Sequence, residues 1–271
     1  MTRLDVLTLN IWNKQGDWPS RLPLLKREIE NLNADLIGLQ EVLEFTTPEG
    51  SMNQANEVRE ASYEMRYAPA QELGPGLHMG NALLSRFPIR KAETVVLPGE
   101  DETEERRSLL CALVDHPLGA LPTYVTHLNW KLDQGATRIK QVVRIHEEIV
   151  ARSAPDHLPA ILMGDFNAEP LSDEIRFLKG FATLNGQSVH YSDVWDYAQA
   201  TGSGATFDPR NPYAAQAQEP PRRIDYIFVA GPDTQRRGHT LSAELVANQP
   251  NEDGVWPSDH FGVRATISLS Q

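Results

Sequence analysis

Cysteine is nearly absent: Cys111 is the one thiol in 271 residues. A disulfide within the chain is therefore excluded, and Cys111, set in the apolar run Leu109 to Val114, reads as a small core residue. Long hydrophobic runs are missing too, since none approaches the roughly 18 apolar residues a membrane helix needs. The apolar stretch behind Met1-Thr2-Arg3, from Leu4 to Leu9, is too short for a signal peptide, so a cytoplasmic location is expected. Positive charge is the third shortage. With 25 Lys and Arg against 37 Asp and Glu, the net charge is −12. A protein that grips nucleic acid through its phosphates usually presents a basic face, so nucleic acid is possible here but not favoured. Any polyanion must be held locally, by arginines such as Arg106-Arg107, Arg222-Arg223 or Arg236-Arg237.

What is present is a soluble globular composition, 40% hydrophobic and 23% charged, and a length that α/β folds often use for one domain. One domain over residues 1–271 is expected. The most informative stretch is Leu158 to Asn167, an apolar run that stops abruptly at Gly164-Asp165-Phe166-Asn167. It reads as a buried strand delivering Asp165 and Asn167 to the end of a sheet, where open α/β sheets place ligands. An Asx-type turn capping its own backbone explains the same residues without a site.

The rest of the chain repeats this pattern. Leu4 to Asn10 is a strand ending in a polar residue, and Ser20 offers an N-cap for a helix with Leu22, Leu25, Ile29 and Leu32 at helical spacing. Asp35 to Gln40 is a second strand ending in Glu41. A right-handed strand–helix–strand unit brings Asn10 and Glu41 to one edge, although Glu41 also fits a solvated loop. Residues 45–58 are polar and patternless and are expected to be a loop. Gly80 to Arg86, Arg107 to Val114 and Leu121 to Thr126 read as strands, the last running into His127-Leu128-Asn129. A helix over roughly residues 136–152 follows, with His146 on its apolar stripe as a packed histidine. Ser172 can cap a short helix from Asp173 to Lys179 ahead of Gly180, another is expected near Asp193 to Ala200, and Gly202 to Arg222 is a long loop. Arg223 to Val229, His239 to Ala247 and Phe261 to Leu269 complete the strands, with Ser258-Asp259-His260 just before the last.

Polar residues at strand ends are thus Asn10, Glu41, His127, Asp165, Asn167, Asp225, Asp259 and His260. Carboxylate and amide oxygens without thiolates suit a hard cation, Mg²⁺ or alternatively Mn²⁺, better than structural zinc.

The ordered set Leu9-Asn10, Gln40-Glu41-Val42, Gly80 to Arg86, Thr126-His127-Leu128, Gly164-Asp165-Phe166-Asn167, Arg223-Ile224-Asp225-Tyr226 and Ser258-Asp259-His260 resembles the endonuclease/exonuclease/phosphatase superfamily over almost the whole chain. The resemblance implies an α/β four-layer sandwich, two mixed sheets face to face with helices outside. It implies a phosphoester substrate and a divalent-metal-dependent hydrolase. Glu41 would be the principal metal ligand, supported by Asn10 and Asp259. Asp165 would act on the attacking water, Asn167 would contact a phosphate oxygen, and His260, oriented by Asp225, would be base or transition-state stabiliser. His127 would contact phosphate or protonate the leaving oxygen, with its partner open between His78 and Asn81. Candidate substrate contacts are Asn81, Arg107, Asn129 and Arg210. A phosphodiester of small-molecule or lipid-like type is the preferred substrate, a nuclease the alternative, and a non-catalytic scaffold the alternative from another class.

Overall fold

The structure is a computed structural model that describes residues 2–99 and 105–270. Its first sheet is built around β1 (Arg3–Asn10) and β2 (Leu36–Thr47), which pair in parallel across the crossover helix α1 (Trp18–Leu32). The hairpin strand β3 (Gly50–Asn53) pairs with β2 and leads into α2 (Gln54–Val58). Strands β4 (Glu64–Gly74) and β5 (Leu77–Ser85) extend this sheet antiparallel on the β2 side.

The second sheet takes β6 (Ile89–Val96), β7 (Ser108–His116) and β8 (Gly119–His127), then α3 (Gly135–Ala151) crosses over to β9 (Ile161–Asp165), parallel to β8. After α4 (Asp173–Leu178), the short β10 (Ser192–Asp193) and α5 (Val194–Tyr197), the antiparallel β11 (Asp225–Val229) closes this sheet. Strands β12 (His239–Val246) and β13 (Gly262–Ser268) return to the first sheet, where β13 lies antiparallel to β1. The orders are β12-β13-β1-β2-β5-β4 and β10-β11-β9-β8-β7-β6.

Side-chain alternation assigns the layers. Leu4, Val6 and Leu36 on the first sheet meet Val125, Ile161, Met163 and Ile227 on the second in a central apolar layer. The opposite face of the first sheet, with Leu7, Leu9, Ile37 and Leu39, packs on Leu25 and Ile29 of α1. The outer face of the second, with Leu162, Tyr226 and Phe228, packs on Val142 and Ile149 of α3 and Phe177 of α4. This is the α/β/β/α sandwich that the resemblance implied. Among the described residues no helix is long and apolar enough to cross a membrane.

Several local expectations are corrected. The helix cap is Asp17, whose carboxylate accepts from the Ser20 amide, so Ser20 lies inside α1. Residues 45–58 are not a loop: β2 runs on to Thr47 and pairs with β3, their exposed outer residues hiding the alternation that marks a half-buried strand. Ser172 occupies the cap position of α4, but its hydroxyl accepts from Glu169 N instead of capping the helix. The long 202–222 loop carries a 3-10 turn at Ala214–Ala217 and bridges from Phe207 to Arg222 and His260.

Candidate active site

The two parallel pairs, β1–β2 and β8–β9, point the same kind of end at one edge of the sandwich. That edge therefore collects Asn10, Glu41, His127 and Asp165. Asp225 opens β11 directly opposite Asp165 in register, and the loop before β13 adds Asp259 and His260.

Local backbone makes the delivery possible. Gly164 has φ +149°, and a Cβ there would sit 1.9 Å from the Thr126 carbonyl oxygen, so only glycine allows β9 to lie this close to β8 just before Asp165. Glu41 has φ +56° where the β2–β5 register shifts between Leu39 and Val42. The bulge turns this one side chain out of the pleat. The Asx turn also exists, since Asn167 N donates to Asp165 Oδ1 at 2.9 Å, so the turn and the cluster are built from the same residues.

Glu41 is held at both oxygens. Asn10 Nδ2 donates to Oε1 at 3.2 Å and Asn13 Nδ2 to Oε2 at 2.8 Å, while Asn10 Nδ2 also reaches Asp165 Oδ2 at 3.1 Å. His260 Nδ1 lies 2.9 Å from Asp225 Oδ2, its Nε2 lies 3.8 Å from Asp165 Oδ2, and the Phe207 ring packs 5.2 Å from the imidazole. Asn167 donates to His127 Nε2 at 3.0 Å and to the Leu128 carbonyl at 3.1 Å. The partner of His127 is thus Asn167, with Asp165 Oδ2 3.4 Å away, and is neither His78 nor Asn81.

Burial and mutual repulsion set the charges. Burial, then the Asp225 charge, pushes the Asp165 carboxyl up to about 7. Asp259 rises to about 6, chiefly by burial, with Glu41 adding to the rise and His260 easing it. Burial alone would lower His260, but Asp225, Asp259 and Asp165 together hold it well above the ordinary range. His127 goes the other way: burial, then Arg107 and His260, keep it well below. One imidazolium and one neutral imidazole face the same carboxylate.

Asp165, His260 and His127, though not Asp225 or Asp259, line a cavity of about 300 Å³. Its wall joins Glu41, His127, Asp165, Asn167 and His260 to two arginines, Arg107 and Arg222, and to the rings of Trp130 and Phe207. Each arginine is already paired with glutamate, Arg107 with Glu105 and Arg222 with Glu219 (2.5 Å) and Glu169 (3.3 Å). Of the four expected substrate contacts, Arg107 alone lines the cavity. Asn81 donates inward to the Ser108 carbonyl at 2.9 Å, and Asn129 is tied to Gln134 and Gln141. Arg210 leans on Asp208 and over Phe261. Their motifs put them near the edge, but their side chains serve the fold. Asn13 and Trp130 went unnoticed in the sequence, because neither stands in a motif or at a strand end.

The donor set fits a hard divalent cation. Asp165, Asp225 and His260 offer ligand atoms within 4.8 Å of one another, and Asp225 Oδ1 is buried without a hydrogen-bond partner among the described residues. Glu41, whose two oxygens accept from Asn10 and Asn13, lies outside that group of three. Crowded carboxylates lifted to about 7 and about 6 are what a cation would relieve.

A sandwich of two mixed sheets carrying an acid- and histidine-lined edge defines the class: a hydrolase fold with an oxygen-donor site. The model of the Endonuclease/Exonuclease/phosphatase family matches residues 7–260, and the chain belongs to that family. Solved structures agree in fold. D. rerio TDP2 complexed with single strand DNA product is 20% identical, with 99% of this chain and 100% of that one covered and a TM-score of 0.77. Truncated Caenorhabditis elegans TDP2 is 19% identical, with 98% of each chain covered and a TM-score of 0.72. An endonuclease/exonuclease/phosphatase from Beutenbergia cavernae is 22% identical, with 100% of this chain and 72% of that one covered and a TM-score of 0.72. No curated protein matches significantly.

Proposed function

We propose that the chain is a divalent-metal-dependent phosphodiesterase for a small or lipid-like phosphodiester. The observation that carries this reading is the cavity of about 300 Å³ with Asp165 and His260 on one wall and only two arginines, both glutamate-paired, among the described residues that line it. Such a pocket suits one phosphodiester and offers no basic track for a longer polyanion.

Glu41, with Asn10 and Asp259, would hold Mg²⁺ or Mn²⁺, which when bound neutralises charge on the phosphate oxygens. Asp165, whose Oδ2 lies 3.1 Å from Asn10 Nδ2 and 3.4 Å from His127 Nε2, accepts the proton of the attacking water. His260, cationic and oriented by Asp225, stabilises the charge that develops on phosphorus-bound oxygen, so of its two expected roles the stabiliser is the better supported. Both N–H groups of Asn167 are used within the protein, which favours a role in fixing the His127 ring over direct contact with phosphate. Neutral His127 then binds on the leaving-group side, and Arg107 supplies the fixed positive charge of the pocket.

The second reading is a nuclease acting on DNA or RNA, favoured by the single strand DNA product in the D. rerio TDP2 structure. A panel of aryl phosphodiesters, aryl phosphomonoesters, phosphoinositides, sphingomyelin, single-stranded DNA and RNA, assayed with Mg²⁺, Mn²⁺ and EDTA, separates the two. Turnover of aryl or lipid diesters above DNA supports the first reading, and the reverse order replaces it with the second.

A further inference from the structure

Arg21 belongs to no motif and sits in the first turns of α1, yet it is 0% exposed. Among the described residues no carboxylate pairs with it. Its partners are backbone carbonyls: Nε donates to Pro257 O at 3.1 Å, one terminal nitrogen to Gln15 O at 2.6 Å and Trp12 O at 3.4 Å, and the other to Ile11 O. Trp12 and Trp18 cover its faces, with ring centroids 4.8 and 5.5 Å from the guanidinium carbon. No described carboxylate touches this buried charge, Asp259 and Glu41 acting on it only through space, so the position has a use for this fork.

The carbonyls belong to two loops far apart in sequence. One, residues 11–15, follows Asn10 and carries Asn13, whose amide holds Glu41 Oε2. The other carries Pro257, two residues before Asp259. Trp12 and Asn13 have φ +54° and +35°, a left-handed backbone that persists only where its surroundings enforce it. Gln54 Nε2 grips Asn13 O at 2.7 Å from one side and Ser258 Oγ grips Asn10 O at 2.6 Å from the other, but among the described residues Arg21 alone joins both loops through one planar group.

We propose that Arg21 is a positioning residue for the cation site: its fork sets the separation of the loop that steadies Glu41 from the loop that carries Asp259. This rests on the reading that Glu41, Asn10 and Asp259 hold the cation. A lysine keeps the charge but places one ammonium where a planar fork spanned both loops, so it does not substitute. Losing the groups that orient metal ligands typically costs about 10–100-fold in affinity.

The test is Mn²⁺ binding to the full chain, read as free Mn²⁺ by electron paramagnetic resonance, with a urea melt in EDTA as the measure of fold. R21K is expected to bind Mn²⁺ about 10–100-fold more weakly. The Mn²⁺ concentration for half-maximal activity should rise by the same factor while kcat at saturating Mn²⁺ stays near wild type. N13G keeps the left-handed backbone and removes the Glu41 contact; it should melt close to wild type and lose Mn²⁺ affinity in the same range. Unchanged Mn²⁺ affinity in folded R21K overturns the proposal, even if its melt shifts. If R21K does not fold, unchanged affinity in N13G overturns it. A wild type that binds no Mn²⁺ overturns the cation reading and this proposal with it, whereas a wild type that binds beside equally competent variants overturns this proposal alone.

Discussion

Gly164→Ala couples the fold to the chemistry in a way the structure quantifies. The added Cβ would lie 1.9 Å from Thr126 O, 2.9 Å from its carbonyl carbon and 3.1 Å from its nitrogen, all backbone atoms of β8. Relief to an ordinary contact of 3.4 Å needs a separation larger by about 1.5 Å, and no side-chain rotation can supply it. The φ of +149° adds strain of about 1–3 kcal/mol for a non-glycine residue, and overpacking adds about 1–3 kcal/mol, so a loss of about 2–6 kcal/mol is expected. The movement opens the β8–β9 pairing at Thr126↔Gly164, one residue before His127↔Asp165. A displacement of about 1 Å at that pair is expected to cost about 100-fold in kcat. Urea denaturation gives the first number, and diester hydrolysis by the folded fraction gives the second. An alanine variant with wild-type midpoint and kcat would refute the argument that close strand approach positions Asp165.

Three further outcomes follow from the same geometry. Asp225→Asn and His260→Ala should each lower kcat by about 10²–10⁴, and the double variant should be little worse than the poorer single one, because the 2.9 Å pair acts as a unit; losses that multiply would assign Asp225 another task. His116 Nδ1 accepts from Leu118 N at 3.1 Å, and burial holds the imidazole below its ordinary 6.5. The unfolded chain then binds more protons, so this contribution to stability is intact above pH about 6.5 and lost as pH falls below it; H116N should flatten that part of a melting-temperature profile, and an unchanged profile would discount the contact. Undamaged duplex DNA should show no affinity tighter than about 10⁻⁵ M at physiological salt with Ca²⁺ replacing Mg²⁺; tight binding with a steep salt slope would reveal a basic groove and favour the nuclease.

Much of the frame was legible because buried parallel strands are written as apolar runs that end in polar residues. β1, β2, β8 and β9 all announce themselves this way, and their shared edge follows from handedness. Strands β4 and β6 were not, since their mixed burial breaks the alternation that would mark them. Asp165, Asp225 and His260 stood in motifs, and the structure brings them together. Asn81, Asn129 and Arg210 lay beside the same motifs yet turn to structural partners, because a sequence shows where a residue falls and not which way its side chain points. The partner of His127 lay 40 residues further on, in a turn whose positive φ at Asn167 no periodicity encodes.

The most direct test of the account is hydrolysis of an aryl phosphodiester by wild type and Glu41→Gln across a Mg²⁺ and Mn²⁺ titration, with EDTA as control. Glutamine keeps the side-chain volume but removes the carboxylate charge that Asn10 and Asn13 hold in place. EDTA should abolish wild-type turnover and added metal restore it, while the Glu41→Gln variant should melt like wild type but stay inactive at millimolar metal. Wild-type turnover untouched by EDTA, or full activity in that variant, would contradict the cation reading.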